Sequence, residues 1–359
     1  MASRFHDLKV ASIERQTPDA VAIAFEVPAD RAEEFAFTPG QYLTLATEID
    51  GQEARRSYSI CSAPGEPLLR VGVKKVADGR FSTFVNDVLS VGDTIRVMPP
   101  QGRFTALKGE RHDYLLFAAG SGITPMLSIA RTVLAHEKDS TITLVYGNRS
   151  TETIMFLEEL NDLKDRHMGR FTLIHLLSRE AQDVDLFNGR IDAARVTALA
   201  DGGLVEPTAA DGVFLCGPGE MIDEVSQALE RMGVARDRIR FERFTPSGDA
   251  PAPRKASPAA REAVEKGVAI EVVLDGVRRS FAMGDADGTV LDAAHKAGIE
   301  LPYSCAGGMC CTCRCRVVEG SSEMAVNFSL EPWEVEAGFT LACQTRPTAN
   351  KLVLDFDAA

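Results

Sequence analysis

Long apolar runs and basic clusters are both missing from this sequence of 359 residues. No uninterrupted apolar stretch approaches the roughly 20 residues that a membrane-spanning helix needs, so we expect no membrane partner. No run of lysine and arginine marks a basic face, and the formal net charge of −13 argues against a nucleic-acid partner. Residues 1–7 also lack the apolar core of a secretory signal, so we expect a cytoplasmic protein.

Histidine is scarce as well. The six histidines are scattered along the chain, and no pair of Glu-x-x-His motifs is present. Paired motifs of that kind hold the two metal ions of oxygen-activating carboxylate sites in helix bundles. If this chain takes part in an oxidation by O₂, we therefore expect the oxygen chemistry to occur on another protein.

Cysteine is the residue whose pattern carries most information. Eight cysteines are present, and six of them lie between residues 305 and 343. Four of these six have the spacing C-x4-C-x2-C-x29-C, the plant-type arrangement for a [2Fe-2S] cluster. The predicted ligands are Cys305, Cys310, Cys313 and Cys343. A four-cysteine zinc site is the alternative, but such sites usually pair two C-x2-C motifs and only one is present here. Cys311 is expected to pack inertly, because the ligand set is complete without it.

Composition along the chain predicts three domains and a linker. Residues 1–108 alternate apolar and polar in short runs separated by turn residues, which predicts an antiparallel barrel. Residues 109–244 alternate buried strands with helical segments, which predicts a doubly wound α/β domain. Residues 245–266 are rich in proline, alanine and serine, so we interpret them as a linker. Residues 267–359 carry the cysteine motif and have a net charge of −6. This acidity either serves solubility alone or lets the domain dock on basic surfaces of a partner.

Three polar motifs in the first 244 residues suit cofactor binding. Residues 56–59, Arg-Ser-Tyr-Ser, offer a guanidinium for a diphosphate, a ring for stacking and a hydroxyl for a ring nitrogen. Residues 79–83 lead into a helical stretch whose first turn can receive phosphate. Residues 120–125, Gly-Ser-Gly-Ile-Thr-Pro, let the backbone approach a phosphate, with Thr124 as a cap and Pro125 as the helix start. Each motif taken singly is also compatible with an ordinary turn or strand end.

The order of these motifs resembles the ferredoxin–NADP reductase superfamily, with a plant-type ferredoxin fused behind the linker. A late Cys216-Gly217-Pro218 completes the pattern. The whole chain is similar to the reductase subunits of bacterial multicomponent oxygenases. Within that family it resembles the reductase subunits of phenylacetyl-CoA 1,2-epoxidases, on residues 55–61, 146–149, 188–192 and the tail phrases 327–332, 337–339, 343–344 and 354–357.

The resemblance implies site residues for each cofactor. The FAD-binding set is Arg56, Tyr58, Ser59, Gly79, Ser82, Thr83 and, facing the flavin, Glu242 and Phe244. The residues implied near the nicotinamide dinucleotide are Gly120, Thr124, Pro125, Cys216, Gly217 and Pro218. The implied catalytic residues are Ser59, Cys216 and Glu242. For the C-terminal domain the resemblance implies a β-grasp ferredoxin fold.

The coenzyme is expected to be NADPH. An acidic residue after the second strand of such a domain favours a free ribose hydroxyl, and an arginine favours a 2′-phosphate. Gly147-Asn148-Arg149 follows that strand without an acidic residue. Ser178-Arg179 also resembles the phosphate-binding Ser-Arg of NADP-dependent relatives. For either arginine, a solvated surface charge is the alternative.

Electron counting joins the sites into one path. A nicotinamide gives up two electrons as hydride and a [2Fe-2S] cluster takes one at a time, so a flavin is needed between them. We therefore expect electrons to pass from NADPH through FAD and the cluster to a separate diiron oxygenase, with phenylacetyl-CoA 1,2-epoxidase of phenylacetate catabolism as the implied partner. The alternatives are another multicomponent oxygenase or a hybrid-cluster protein as acceptor, and a redox-sensing binding protein without turnover.

Overall fold

The computed structural model of this protein describes residues 5–109, 111–244 and 253–358. These residues form two compact units. The first contains the described residues of 7–54 and 58–248, and the second contains those of 249–359 together with those of 1–6 and 55–57. No helix in the described part of the chain has both the length and the apolar character needed to span a bilayer.

The N-terminal part of the chain forms a six-stranded antiparallel sheet with strand order β4-β3-β6-β1-β2-β5. Its elements are β1 His6–Thr17, β2 Ala20–Glu26, β3 Tyr42–Ile49, β4 Gln52–Ser59, β5 Leu69–Lys74, α1 Arg80–Asp87 and β6 Thr94–Val97. Strand β2 is buried on both faces, because Val21, Ile23 and Phe25 fill the core of this sheet while Ala20 and Ala22 pack against the next domain. The predicted antiparallel architecture is confirmed.

The second domain is a five-stranded parallel sheet with strand order β11-β10-β7-β8-β9. Its elements are β7 Asp113–Ala119, α2 Ile123–His136, β8 Thr141–Asn148, α3 Leu157–Arg166, β9 Phe171–Leu177, α4 Ala193–Asp201, β10 Gly212–Gly217, α5 Gly219–Arg231 and β11 Ile239–Arg243. Residues of β7 point alternately into two apolar cores, one on each face of the sheet, which explains why that strand is an unbroken apolar run. The predicted doubly wound fold is confirmed.

The strand order reverses between β7 and β10, and ligands of such sheets bind at the carboxyl ends of the strands at that point. The turns after these two strands approach each other closely. A Cβ atom on Gly122 would lie 2.1 Å from the carbonyl oxygen of Cys216, so only glycine fits there. This close approach lies at the sheet edge where the glycine motif was predicted to meet a phosphate.

The second unit is built on a five-stranded mixed sheet with strand order β13-β12-β16-β14-β15. Its elements are α6 Pro258–Lys266, β12 Val268–Leu274, β13 Val277–Met283, α7 Val290–Lys296, β14 Arg314–Met324, α8 Pro332–Glu336, β15 Phe339–Leu341 and β16 Thr345–Asp355. Strands β12 and β16 run parallel, and their neighbours run antiparallel to them. Helix α7 buries Val290, Leu291 and Ala294 against this sheet, as in a β-grasp fold. The fold class predicted for the C-terminal domain is confirmed.

The predicted linker, residues 245–266, is helical over its last nine residues, Pro258–Lys266. Ser257 caps this helix by accepting a hydrogen bond from the backbone N–H of Ala260 at 3.1 Å. Pro258 stands at the first helical position, where its missing N–H has no cost. Pro258 therefore lies within the predicted linker and starts a helix in the structure. Residues 245–252 of the predicted linker lie outside the described residues.

Candidate flavin, nicotinamide and iron–sulfur sites

The four predicted cluster ligands converge from three places in the second unit. Cys305 and Cys310 lie in the loop between α7 and β14, Cys313 directly precedes β14, and Cys343 lies between β15 and β16. The loop backbone turns sharply, with left-handed residues at Ala306, Gly308 and Cys311. Because of these turns, the N–H groups of Gly307 and Met309 both point at Sγ of Cys305, each at 3.4 Å. Such contacts favour a thiolate over a thiol and suit a metal ligand.

The ligand side chains meet in two pairs. Cys310 hydrogen-bonds to Cys305 and, with backbone N–H groups of the loop, lowers the pKa of the Cys305 thiol to about 5. A hydrogen bond from Cys313 likewise lowers the pKa of Cys343. In the described residues, no three His, Cys, Asp or Glu side chains are grouped as they would be around a single metal ion. Two pairs of thiols suit a binuclear [2Fe-2S] cluster, in which each iron takes two protein ligands.

The cysteines outside this set are packed away from it. Cys61 is fully buried, and burial raises the pKa of its thiol to about 12. Cys315 is also fully buried and its pKa is raised by burial. Cys311 points its Sγ at Oγ of Ser329, at 3.0 Å. These positions agree with the expected packing role.

Ser59 and Glu242 are brought together from the two domains of the first unit. Ser59 ends β4, Glu242 lies in β11, and Oγ of Ser59 donates a hydrogen bond to Oε2 of Glu242 at 3.0 Å. Burial raises the pKa of the Glu242 carboxyl to about 7, although the hydrogen bond from Ser59 acts in the opposite direction. Cys216 lies beside Glu242 in the parallel register of β10 and β11. The three predicted catalytic residues therefore share one place.

The other predicted flavin residues lie on β4 and at the start of α1. Arg56 is exposed on β4, and the Tyr58 ring packs 5.8 Å from that of Phe81. Gly79 precedes α1, and a Cβ atom there would come within 2.3 Å of the Val76 side chain. Oγ of Ser82 accepts from the Val76 N–H and donates to the carbonyl of Gly79, at 3.2 and 3.0 Å. The Ser82 hydroxyl therefore shapes the turn, which leaves the backbone at the start of α1 as the part suited to a phosphate.

The glycine motif of residues 120–125 differs in one detail from the expectation. Thr124 was expected to cap the helix, but α2 already begins at Ile123 and Oγ1 of Thr124 donates to the carbonyl of Ser121 at 3.0 Å. Pro125 lies in the first turn, where a missing N–H is tolerated. The cap fails because Gly120 and Gly122 continue the turn into the helix without a break. Gly120 itself has a φ of +54° and open space around it.

Sequence reasoning missed Tyr146, which fixes this turn. Its hydroxyl donates to the carbonyl of Gly120 at 2.9 Å, and its side chain is fully buried. The residue reads as core because it ends an apolar run in β8. The sequence does contain one signal for this role, which is a tyrosine near the carboxyl end of a buried strand. A buried hydroxyl at that place needs a hydrogen-bond partner.

Arg149 and Arg179 lie side by side after β8 and β9. The backbone N–H of Arg179 donates to the carbonyl of Arg149 at 2.8 Å, and that of Ser178 donates to Asn148 at 3.0 Å. Both arginines are exposed, and among the described residues neither guanidinium has an ion pair or hydrogen bond. The nearby Glu180 carboxylate accepts two hydrogen bonds from Thr151, which lower its pKa. Two cations are thus available to an anion, whereas the Ser178 hydroxyl donates to the carbonyl of Asn148 at 3.3 Å.

Comparison with known proteins shows which family this chain belongs to. Three family profiles match the chain: an oxidoreductase FAD-binding domain over residues 7–106, an oxidoreductase NAD-binding domain over 116–227 and a 2Fe-2S iron-sulfur cluster binding domain over 272–348. The chain is 42% identical over 358 residues to a subunit of the 1,2-phenylacetyl-CoA epoxidase of Escherichia coli (strain K12), covering 99% of this chain and 98% of that protein. This chain belongs to the reductase components of multicomponent oxygenases.

Other relatives agree with that family. This reductase component is 36% identical to the ferredoxin reductase component of 3-ketosteroid-9-alpha-monooxygenase from Rhodococcus rhodochrous, over 99% of this chain and 97% of that one. Its fold matches the crystal structure of phthalate dioxygenase reductase with a TM-score of 0.59 and 24% identity, over 98% of both chains. The reductase component is an oxidoreductase with FAD-binding, NAD-binding and [2Fe-2S] domains, and it transfers electrons to an oxygenase.

Replacing one cluster ligand should separate the two units functionally. We expect Cys343→Ser to lose the cluster while the protein keeps its flavin and still accepts hydride, because the predicted flavin and nicotinamide residues other than Arg56 lie in the other unit. Iron and labile-sulfide analysis and the visible spectrum measure this. Cys315→Ser, at a buried cysteine of the same unit, is the control and should keep its cluster. Zinc without labile sulfide in the unmodified protein would contradict the ligand assignment.

Glu242 should make thermal stability depend on pH. Its pKa is raised from 4.5 to about 7. A carboxyl raised in this way stabilises the folded state below its unfolded pKa, and that contribution is lost as the pH rises from about 4.5 through about 7. Glutamine cannot lose a proton, so Glu242→Gln should gain in Tm relative to the unmodified protein between about pH 5 and about pH 8. Glu220→Gln, at an exposed carboxyl of α5, is the control. If Tm varied with pH in the same way for Glu242→Gln and the unmodified protein, the raised pKa of Glu242 would be refuted.

Proposed function

We propose that this reductase component takes electrons from NADPH and delivers them to a diiron phenylacetyl-CoA 1,2-epoxidase in phenylacetate catabolism. The observation that carries this proposal is the 42% identity to a subunit of such an epoxidase over nearly the whole of both chains. The 36% identity to a steroid monooxygenase reductase supports the same chemistry with a different acceptor, so reduction of another oxygenase is the second candidate.

We propose residues for each of the three groups that this function needs. We assign the cluster to Cys305, Cys310, Cys313 and Cys343. We assign FAD to Arg56, Tyr58, Ser59, Gly79, Ser82, Thr83 and Phe244. We assign the nicotinamide dinucleotide to Gly120, Thr124, Pro125, Cys216, Gly217 and Pro218, with Arg149, Ser178 and Arg179 at its ribose phosphate. When bound, the flavin accepts a hydride and releases electrons one at a time to the cluster.

The chain itself supplies position and proton control. Glu242 accepts a hydrogen bond from Oγ of Ser59 and so holds it in place. Burial between the two domains raises the pKa of its carboxyl to about 7, so this group can gain or lose a proton near neutral pH. The side chain of Cys216 is small and buried, so it leaves room beside Glu242. Burial raises the pKa of the Cys216 thiol, which therefore stays uncharged. Gly122 and Gly217 let the turns after β7 and β10 close on each other at the sheet edge. These features hold reacting groups at one place and exclude water from it.

The location and docking of the protein follow from its thiols and charge. No disulfide joins cysteines of the described residues, which suits a reducing compartment, so we place the protein in the cytoplasm. The C-terminal residues 267–359 carry a net charge of −6. We propose that this acidic surface docks on a basic face of the oxygenase, an association that weakens as salt rises because exposed charges are screened beyond about 10 Å at roughly 0.1 M.

Coenzyme preference should depend on the two unpaired arginines. We expect the unmodified protein to prefer NADPH to NADH in kcat/KM. Replacing Arg149 or Arg179 by alanine should reduce that preference by roughly tenfold or more, since a hydrogen bond to a charged group contributes about 1.5–3 kcal/mol. Steady-state kinetics with both coenzymes measure it. Arg166→Ala, at an exposed arginine of α3, is the control and should leave the preference unchanged. Equal use of both coenzymes by the unmodified protein would refute the NADPH assignment.

Reconstitution tests the proposed partner. The purified reductase component, the epoxidase, NADPH and phenylacetyl-CoA are mixed, and the epoxide product is followed over time. We expect turnover that requires both proteins and falls as ionic strength rises. Dye reduction by the reductase component alone is the control for an intact flavin site. Turnover with a steroid or ring-hydroxylating oxygenase or a hybrid-cluster protein, and none with the epoxidase, would move the assignment to that other acceptor.

A further inference from the structure

An ion pair is buried next to the proposed cluster ligands. Arg314 directly follows Cys313 at the start of β14, and Glu334 lies in α8. Nε and Nη2 of Arg314 both donate to Oε1 of Glu334, at 3.0 and 2.9 Å. The side chains of Arg314 and Glu334 are only 9% and 1% exposed. In the Lys351–Glu319 pair of the same unit, by contrast, the exposed fractions are 49% and 56%.

The pair is enclosed by further contacts. Oε2 of Glu334 accepts the backbone N–H of Glu331 at 3.0 Å, so both carboxylate oxygens have donors. The Arg314 guanidinium packs over the Phe339 ring, 3.4 Å from its centroid. Taking two charges out of water costs about as much as their attraction returns, so a buried pair of this kind is weak evidence for a stabilising role. Stability alone therefore does not account for the pair.

The pair joins the two chain segments that carry Cys313 and Cys343. Arg314 follows the first of these ligands and pairs in register with Leu341, two residues before the second. The backbone N–H of Ala342 donates to the carbonyl of Cys313 at 3.0 Å, and the two thiols hydrogen-bond to each other. Phe339, beneath the guanidinium, opens the strand that leads to Cys343. Both proposed ligands of one iron are thus connected to the same ion pair.

We propose that Arg314 and Glu334 form a positioning and charge-balancing pair for the iron held by Cys313 and Cys343. The inference rests on the ligand assignment proposed above. The pair fixes both ligand segments, and its carboxylate cancels the charge of a guanidinium that would otherwise stand beside the cluster. An arginine keeps its charge in proteins even when buried, so the balance depends on Glu334.

The charge of this pair should be visible in the reduction potential of the cluster. Reduction adds one negative charge to the site, so an uncompensated cation beside it favours the reduced state. Glu334→Gln leaves Arg314 unbalanced and should shift the equilibrium toward the reduced cluster at least threefold, which is about 28 mV for one electron. The double variant Arg314→Met/Glu334→Gln restores neutrality and should return the potential toward that of the unmodified protein.

The experiment is a redox titration of the full-length protein, followed by the electron paramagnetic resonance signal of the reduced cluster. Glu319→Gln removes the same charge from an exposed pair of the same unit and is the matched control. Trp333 is the only tryptophan of the chain and adjoins Glu334, so its fluorescence reports whether α8 stays folded. Equal potentials for Glu334→Gln and Glu319→Gln, with α8 intact, would overturn the proposal.

Loss of the cluster is also informative. If Glu334→Gln cannot retain it, the rate of iron release to a chelator replaces the potential, and the double variant should release iron more slowly than Glu334→Gln. Equally fast release from both variants would show that packing alone matters and would refute charge balancing. Cys343→Ser tests the ligand assignment separately from the role of the ion pair. A cluster that persists in this variant contradicts the ligand assignment and not the role of the ion pair.

Discussion

The close approach of two turns at the edge of the parallel sheet is the constraint on which the first unit depends. The turn after β7 passes so near the end of β10 that no side chain fits at Gly122. Tyr146 holds this turn from the neighbouring strand through its bond to the carbonyl of Gly120. The same packing places Cys216 beside Glu242, which reaches Ser59 in the other domain. One backbone contact therefore aligns groups from both domains.

A second constraint governs the cluster loop. Thiolates need donors around them, and a short loop provides donors only if its N–H groups turn inward. Ala306, Gly308 and Cys311 adopt left-handed conformations to achieve this, and two of the three are not glycine. Such conformations cost free energy and persist where the surroundings enforce them. Here Ser329 contacts both Cys311 and the carbonyl of Gly308, which ties the loop to the segment before α8.

The sequence was informative where chemistry requires fixed spacing and less so where it requires contact in space. The cysteine spacing predicted the cluster domain, and the alternation of apolar runs predicted both sheets, because these signals are local. Thr124 was expected to cap a helix that already begins at Ile123, since the two glycines before it adopt helical turns that the sequence pattern does not distinguish from an open loop. Arg314 and Glu334 lie 20 residues apart and each reads as a surface charge, so no local pattern pairs them.

Charged side chains are arranged differently at each of the three proposed sites, and the difference follows the chemistry. At the proposed nicotinamide site Arg149 and Arg179 are exposed and unpaired among the described residues, so an incoming anion would displace only water from them. At the proposed flavin site burial raises the pKa of the Glu242 carboxyl to about 7, so its charge can change near neutral pH. Beside the cluster ligands Arg314 is matched by Glu334, so the charge there is fixed. Binding an anion needs available charge, hydride transfer needs a group that can hold or release a proton, and electron transfer needs a constant field. Under the proposed assignments, the three arrangements meet those needs in the order in which electrons pass.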